Sequence, residues 1–279
     1  HNGQDTNSGG QASLALSLPA GEYFLIVISG AVSPTGAYAL RALRESARTC
    51  TPESLTPPGS VRSALTAGDC RFLDYVPFSE NFSFARPYTE ELTEKSLVVF
   101  GQLSTQFDSY LSLLREDKSL IAEDDDSLGN GNSRIAVLLR PGKYTVLANS
   151  YEEGAIGAFE LRVETSAPRE CAVSELPMTE IVSSALTADD CRLRDLIVEE
   201  PAGNVARAFR VTVENAGRLS AEVSSTAFDA SLVLLNAEGK VLPFELTQVR
   251  AGVIRGTGQV TPGDYTVLAY SFSGTLGAF

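Results

Sequence analysis

Apolar and polar residues alternate in short runs along this chain, the two-residue period of a strand with one buried face. Across 134–140, Ile135, Val137 and Leu139 share a face. Leu14, Leu16 and Leu18 take the same places near the start of the chain. Near its end those places hold Gly256, Gly258 and Val260, which predicts a weaker or differently covered strand. The run 144–151 is apolar on both faces at its start, through Tyr144, Val146 and Leu147, the pattern of a central strand. Pro141-Gly142 separates the two runs as a turn, because proline fixes its own φ and glycine accepts positive values. Further strands are predicted over 61–67, 81–85, 95–102, 110–114 and 157–163. No long stretch carries a helical period. The expected class is all-β: tandem antiparallel β-sandwich modules of jelly-roll-like form, with about seven or eight short strands each.

These runs recur with a period of 121 residues. Ser63-Ala64-Leu65-Thr66-Ala67-Gly68-Asp69-Cys70 returns as Ser184-Ala185-Leu186-Thr187-Ala188-Asp189-Asp190-Cys191. Phe107-Asp108 returns as Phe228-Asp229, and Pro141-Gly142-Lys143-Tyr144 as Pro262-Gly263-Asp264-Tyr265. A partial earlier copy supplies Ala20-Gly21-Glu22-Tyr23. Gly36-Ala37-Tyr38, Gly157-Ala158-Phe159 and Gly277-Ala278-Phe279 complete the register, the last with one residue deleted. The expected organisation is the C-terminal part of a first sandwich over 1–49, a complete sandwich over 50–170, and a third lacking its last strand over 171–279. A unit of 121 residues can bury its own core. The 49-residue piece is expected to lean on further sequence or on another chain.

Composition adds a view of partners. The net charge is −13, with 43% hydrophobic residues, 8% aromatics and no Trp. Such a surface repels nucleic-acid phosphates and anionic lipid headgroups and attracts cations. No apolar run approaches the roughly 20 residues of a membrane helix. His1-Asn2-Gly3-Gln4 is not a signal peptide, so a processed chain or a fragment is expected.

The four Cys fall in two pairs of equal spacing, Cys50 with Cys70 and Cys171 with Cys191. An even count at a repeated spacing suggests one disulfide at the start of each repeat, tying the linker 46–58 to the sandwich behind it. Disulfides would place the protein outside the cytoplasm, extracellular or at a cell surface. Zinc is the alternative, and it needs the pairs close in space or His partners, of which His1 is the only one.

The repeat as a whole resembles the bacterial pre-peptidase C-terminal domain family. Phe107-Asp108-Ser109-Tyr110-Leu111, Asp124-Asp125-Asp126-Ser127, Asn132-Ser133-Arg134-Ile135, Pro141-Gly142-Lys143-Tyr144 and Gly157-Ala158-Phe159-Glu160-Leu161 carry the likeness, in that order. The resemblance implies a jelly-roll-like sandwich, export, and no catalytic residues. It also implies attachment to secreted peptidases or surface proteins, with matrix polymers or calcium as ligands in some relatives. The third repeat departs from the pattern at the acidic loop.

That loop, 123–129, is the sharpest local feature. Ca²⁺ takes six to eight oxygens from a tightly turned loop. Asp124, Asp126 and Gly129 match positions of an EF-hand-type loop, but Leu128 and Ile135 then break the match. A different cage would use Asp124 and Asp126 with Asp108. The structural reading is a solvated acidic turn, or a salt bridge from Arg134 to one of the acids. The third repeat keeps Arg255 and Glu245 but has Leu246 and Thr247, and the first has only Asn2, Gln4 and Asp5. Calcium is thus expected at most in 50–170, and no other cofactor. Asp108 and Asp229 are read as Asx turns. Tyr23, Tyr144 and Tyr265 are read as rings at the core edge with hydroxyls at the surface. Asn81-Phe82-Ser83 is a formal glycosylation sequon.

Enzyme readings lack parts. A Ser or Cys nucleophile needs a base, and the only His is at the terminus. Gly142-Lys143 lacks the rest of a P-loop, and Gly256-Thr257-Gly258 lacks a βαβ setting. Two classes remain. One is a secreted structural array, built by neighbouring copies or other extracellular proteins through exposed sheet edges. The other is an accessory module holding a secreted hydrolase on polysaccharide or matrix protein.

Overall fold

The computed structural model describes residues 16, 18, 20–28, 36–43, 48–76, 79 and 81–279. The middle unit opens with β1 (Glu53–Ser54), β2 (Gly59–Leu65) and β3 (Cys70–Arg71), then one helical turn, α1 (Phe72–Tyr75). It continues through β4 (Phe84–Leu92), β5 (Ser96–Leu103), β6 (Ser109–Arg115) and β7 (Leu120–Asp124). It closes with β8 (Ser133–Leu139), β9 (Gly142–Ser150) and β10 (Gly157–Ser166). One sheet has the order β1-β4-β9-β6-β7, with β3 also on β4, and the facing sheet has the order β2-β10-β5-β8.

Alternation builds the core between them. Tyr88, Leu111, Leu113 and Val146 point inward from the first sheet and meet Val98, Phe100, Ile135, Val137, Leu139, Leu161 and Val163 from the second. Each fully buried side chain of this size contributes about 1.5–3 kcal/mol. Strand β9 is central, as its two-faced apolar pattern predicts. Val146 faces the sandwich, while Leu147 faces out beneath Phe72 and Tyr75 of α1. The helical turn thus roofs an outer face that would otherwise be wet.

The third unit runs β11 (Val173–Glu175), β12 (Ala185–Leu186), β13 (Cys191–Arg192) and the helical turn α2 (Leu193–Leu196). Then come β14 (Val205–Val213), β15 (Gly217–Ser224), β16 (Ala230–Asn236), β17 (Val241–Leu242) and β18 (Glu245–Arg250). Strands β19 (Val253–Val260), β20 (Gly263–Ser271) and β21 (Gly277–Ala278) end it. Its first sheet, β11-β14-β20-β16-β17 with β13, has the same order as that of the middle unit. Strands β4, β5, β6 and β9 start 121 positions before β14, β15, β16 and β20.

The second layers differ. In the third unit it forms two ladders, β15-β19-β18 and β12-β21, because β21 has two residues where β10 has ten. The acidic loop position of the middle unit becomes strand β18, paired to β19. This is the physical outcome of replacing acids by Leu246 and Thr247. The expected weakness at Gly256 and Gly258 is resolved by cover: a Cβ on Gly256 would collide with the Phe244 ring, and one on Gly258 would meet the Pro243 carbonyl and the edge of the same ring.

Several expectations are corrected. The strand expected over 81–85 begins only at Phe84 and runs on to Leu92, through Pro87 and two glutamates. The acidic stretch was expected as a turn, yet its first part, to Asp124, pairs with β6. The expected linker holds β1, laid parallel on β4, as β11 is laid on β14. Of the first stretch, Leu14 and the residues Asn2, Gln4, Asp5 and His1 lie outside the described residues. Residues 20–28 and 36–43 form no strand, and Phe24 and Ile28 are 97% and 74% exposed. An alternating sequence with no sheet to join among the described residues gains little from extension.

Candidate functional site

The most fully built polar sites are two matching braces beside the disulfides. Cys50 is bonded to Cys70 and Cys171 to Cys191, with Cα atoms 6.1 and 5.9 Å apart, and none of the described cysteines is free. This removes zinc: Cys50, Cys70 and Asp74 form the one grouping of metal-type ligands among the described residues, and its two sulfurs are spent on each other. Next to each bridge an aspartate closes a tight turn. Asp69 accepts the Thr66 N–H at 2.6 Å and the Thr66 hydroxyl at 2.8 Å. Asp190 accepts the same two groups from Thr187 at 2.7 and 3.0 Å.

Each aspartate then meets an arginine from the adjacent sheet. Arg86 lies 3.6 Å from Asp69 and donates to the Ser63 hydroxyl at 2.6 Å. Arg207 lies 3.3 Å from Asp190 and donates to the Ser184 hydroxyl at 2.6 Å. From the chain preceding each bridge, Arg48 and Arg169 donate to the Asp69 and Asp190 carbonyls. The recurring Ser-Ala-Leu-Thr motif is visible in the sequence, but its purpose is not. The signal that would have exposed it is the arginine recurring at the same 121-residue interval.

A second repeated device lies under the Pro-Gly turns. The Tyr144 hydroxyl donates to the Arg140 carbonyl at 3.1 Å, and that of Tyr265 to the Thr261 carbonyl at 2.9 Å. Both rings are buried, at 6% and 7% exposure, so the hydroxyls are folded back onto backbone and not presented to solvent as the sequence implied. Tyr23 of the first stretch is 48% exposed. A third device caps the helical turns: Asp74 and Asp195 accept the N–H of Arg71 and of Arg192, each at 2.8 Å.

The acidic loop spends its first carboxylate on structure. Asp124 accepts the Ser127 N–H at 3.1 Å, the Ser127 hydroxyl, and the Arg134 N–H at 2.6 Å. The bond to Arg134 is thus made by its backbone and not by its guanidinium. In the third unit Arg255 pairs with Glu222, across the β15–β19 ladder, in place of Glu245. Asp126 contributes its carbonyl to the Gly129 N–H at 2.6 Å. Asp108, Asp124 and Asp126 do not come within 4.8 Å of one another as a group. The Asx turns expected at Asp108 and Asp229 are not what the structure shows: each residue bonds through its main-chain carbonyl, which accepts the remote Tyr151 N–H or Phe272 N–H at 2.9 Å. The Asp108 carboxyl is raised above its usual range by burial first, then by Asp125, Asp126 and Glu152.

Beside these acids Tyr110 and Tyr151 lie with ring centroids 6.2 Å apart, and Tyr151 is 59% exposed. Burial, with Glu123 next to it, pushes the Tyr110 hydroxyl up to about 12. In the sequon, Asn81 accepts the Ser83 N–H at 2.8 Å, and Ser83 is fully buried. Two cavities, of about 160 and 230 Å³, are lined by the residues around Cys171 and by Arg71, Phe82, Phe84, Glu153 and Gly154. Both fall below the roughly 300–1,000 Å³ of a small-molecule site.

No family model and no curated protein matches the chain. Among solved structures, the pre-peptidase C-terminal domain of a collagenase from Bacillus anthracis is similar, at 17% identity over 42% of this chain and 98% of that one, with a TM-score of 0.33. Dimeric latent PorU from Porphyromonas gingivalis is similar at 13% identity over 84% of this chain and 23% of that one, with a TM-score of 0.19. A cycloisomaltooligosaccharide glucanotransferase from a Paenibacillus species shares 9% identity over 75% of this chain and 44% of that one, with a TM-score of 0.21.

Proposed function

We propose that the chain is a non-catalytic structural part of a larger extracellular protein or filament, built from tandem copies of one disulfide-braced sandwich. The observation that carries this reading is the use made of the reactive side chains. The cysteines are bridged, Asp69 and Asp190 hold turns and arginines, and Asp124 holds its own loop. These sulfurs and carboxylates are committed to holding the fold, which favours a structural use of them. Chemistry would also need a cleft, and the two cavities described fall below the usual volume of a small-molecule site.

A second reading has one observation in its favour. Tyr110 and Tyr151, beside Asp108, Glu123 and Asp125, form an aromatic and acidic rim on the middle unit. The third unit keeps Asp229 and an aromatic ring, Phe272, and has Ser231, Phe244 and Leu246 at the other three matching positions. Such a rim suits cationic groups of a matrix polymer. Light scattering and electron microscopy of the purified chain, run beside retention on collagen and polysaccharide resins, separate the two. Ordered polymer without retention supports the structural reading. A monodisperse chain that is retained, and released by Tyr151→Ala, replaces it with the accessory one.

A further inference from the structure

Strand β8 has an outer face as well as a core face. Ile135, Val137 and Leu139 point into the core. Ala136 and Leu138 point the other way, yet they are 4% and 0% exposed. Their ladder partners on β5 are Val99 and Leu97, both partly buried. What covers this outer face comes from the third unit. Turn α2 packs on β8, and the chain just after it bridges to the strand edge, Val198 beside Leu138 in parallel. The Glu199 N–H donates to the Leu138 carbonyl at 2.8 Å.

The same glutamate is gripped by its side chain. Arg115, at the end of β6, donates from its Nε and a terminal nitrogen to the two Glu199 oxygens at 3.1 and 2.7 Å. This fork-to-fork geometry fixes direction as well as distance. Glu199 has a φ of 62°, a left-handed conformation that is unfavourable for a residue with a Cβ. The two anchors hold it there.

We infer that the middle and third units are locked as one rigid body by this joint, in which residues 193–199 of the third unit act as a plug seated on the outer β5–β8 face of the middle unit. The inference concerns the chain itself and stands whether or not the structural reading above is right.

The third unit shows that the seat is particular. At the positions matching Leu97, Val99, Ala136 and Leu138 it carries Arg218, Ser220, Thr257 and Gln259, and in place of Arg115 it carries Asn236. Arg218, Ser220 and Gln259 are exposed there. The edge of β19, which corresponds to the edge of β8, is already filled by β18. Of these two units, the one whose outer face is covered by a plug has the apolar face with an arginine at its margin. One contact opposes the joint. Arg194 of α2 is lowered from its usual pKa by burial, and then by the nearby charge of Arg134 on β8.

The test is the relative orientation of the two units in solution. Residual dipolar couplings are measured on the full chain for amides of 84–166 and of 205–271. One shared alignment tensor is expected, and two different tensors would overturn the joint. Leu138→Asp places a charge under the plug and is expected to split the tensor in two. It is also expected to speed Glu199 amide exchange by about tenfold or more, while amides inside each sandwich stay protected. Glu199→Ala removes the Arg115 clamp without touching either core and is expected to act in the same direction. A tensor that stays shared in both variants would sink the inference.

Discussion

Glu90 stands opposite Tyr144 in the β4–β9 ladder, 1% exposed, and neither of its carboxylate oxygens is bonded. The Tyr144 hydroxyl is turned away to the Arg140 carbonyl. At the matching place in the third unit sits Val211, buried in that core. Burial pushes the Glu90 carboxyl from 4.5 up to about 7.

The sign follows from that direction. Unfolded chain ionises Glu90 near 4.5, and folded chain only near 7. Its burden is therefore absent below pH 4.5, grows between the two values and is complete above pH 7, reaching about 3 kcal/mol. Glu90→Val, the side chain of the other unit, is expected to raise the melting temperature of the middle unit at pH 8 and to change it much less at pH 4. Equal gains at both pH values would show that packing, and not ionisation, decides.

Each bridge closes a loop across a sequence separation of 20. Loss of one is expected to lower stability by about 2–4 kcal/mol. Thermal melts of Cys171→Ala with Cys191→Ala, compared with native chain in and out of reductant, measure this. A reductant-insensitive melt would contradict it.

Asp190→Ala leaves the Thr187 N–H without its acceptor and takes the ion-pair partner from Arg207, which keeps its bond to the Ser184 hydroxyl. A loss of about 1–3 kcal/mol is expected. A double-mutant cycle with Arg207→Ala should give a coupling of about 0.5 kcal/mol or more. Additive losses would mean that the brace is two separate contacts.

Phe244 fills the space that Gly256 and Gly258 leave. Phe244→Ala is expected to destabilise the third unit by about 2–3 kcal/mol through the void it opens. Adding Gly256→Leu should return part of that loss, whereas Gly256→Leu alone should destabilise. Chemical denaturation of the four chains checks the pattern.

Asp124→Ala is expected to destabilise the middle unit by about 1–2 kcal/mol, because it strands the Arg134 N–H. The shortfall should be the same with and without millimolar calcium. A melting temperature that calcium raises in native chain, and not in the variant, would restore a metal role to Asp108, Asp124 and Asp126.

The alternating runs around Ile135, Phe100 and Val146 were legible in the sequence because strand periodicity and core burial have the same origin. Strand β4 was less legible. Its inward positions include Arg86 and Glu90, one satisfied by Asp69 and the other by nothing, so no apolar alternation announces it. Strand β18 was hidden for a related reason. Its residues are all exposed, and its pairing is set by the β19 edge and not by a core. The disulfides were legible from spacing alone. The Asp69–Arg86 brace was not, since its two halves are remote in sequence and meet only through the sheet. The joint at Glu199 joins residues 84 positions apart, and its trace in the sequence is a set of apolar outward residues, Leu97, Val99, Ala136 and Leu138.

The place of the two bridges has a consequence under load. A pull along the backbone reaches Cys50 and passes directly to Cys70, and likewise from Cys171 to Cys191. The edge strands β1 and β11 lie inside those covalent shunts and carry none of the tension. Their partners β4 and β14 lie outside the shunts, so a stretched chain would lose those ladders while each closed loop stays compact, and on release the loop would still sit at the entrance for the returning strand to pair with.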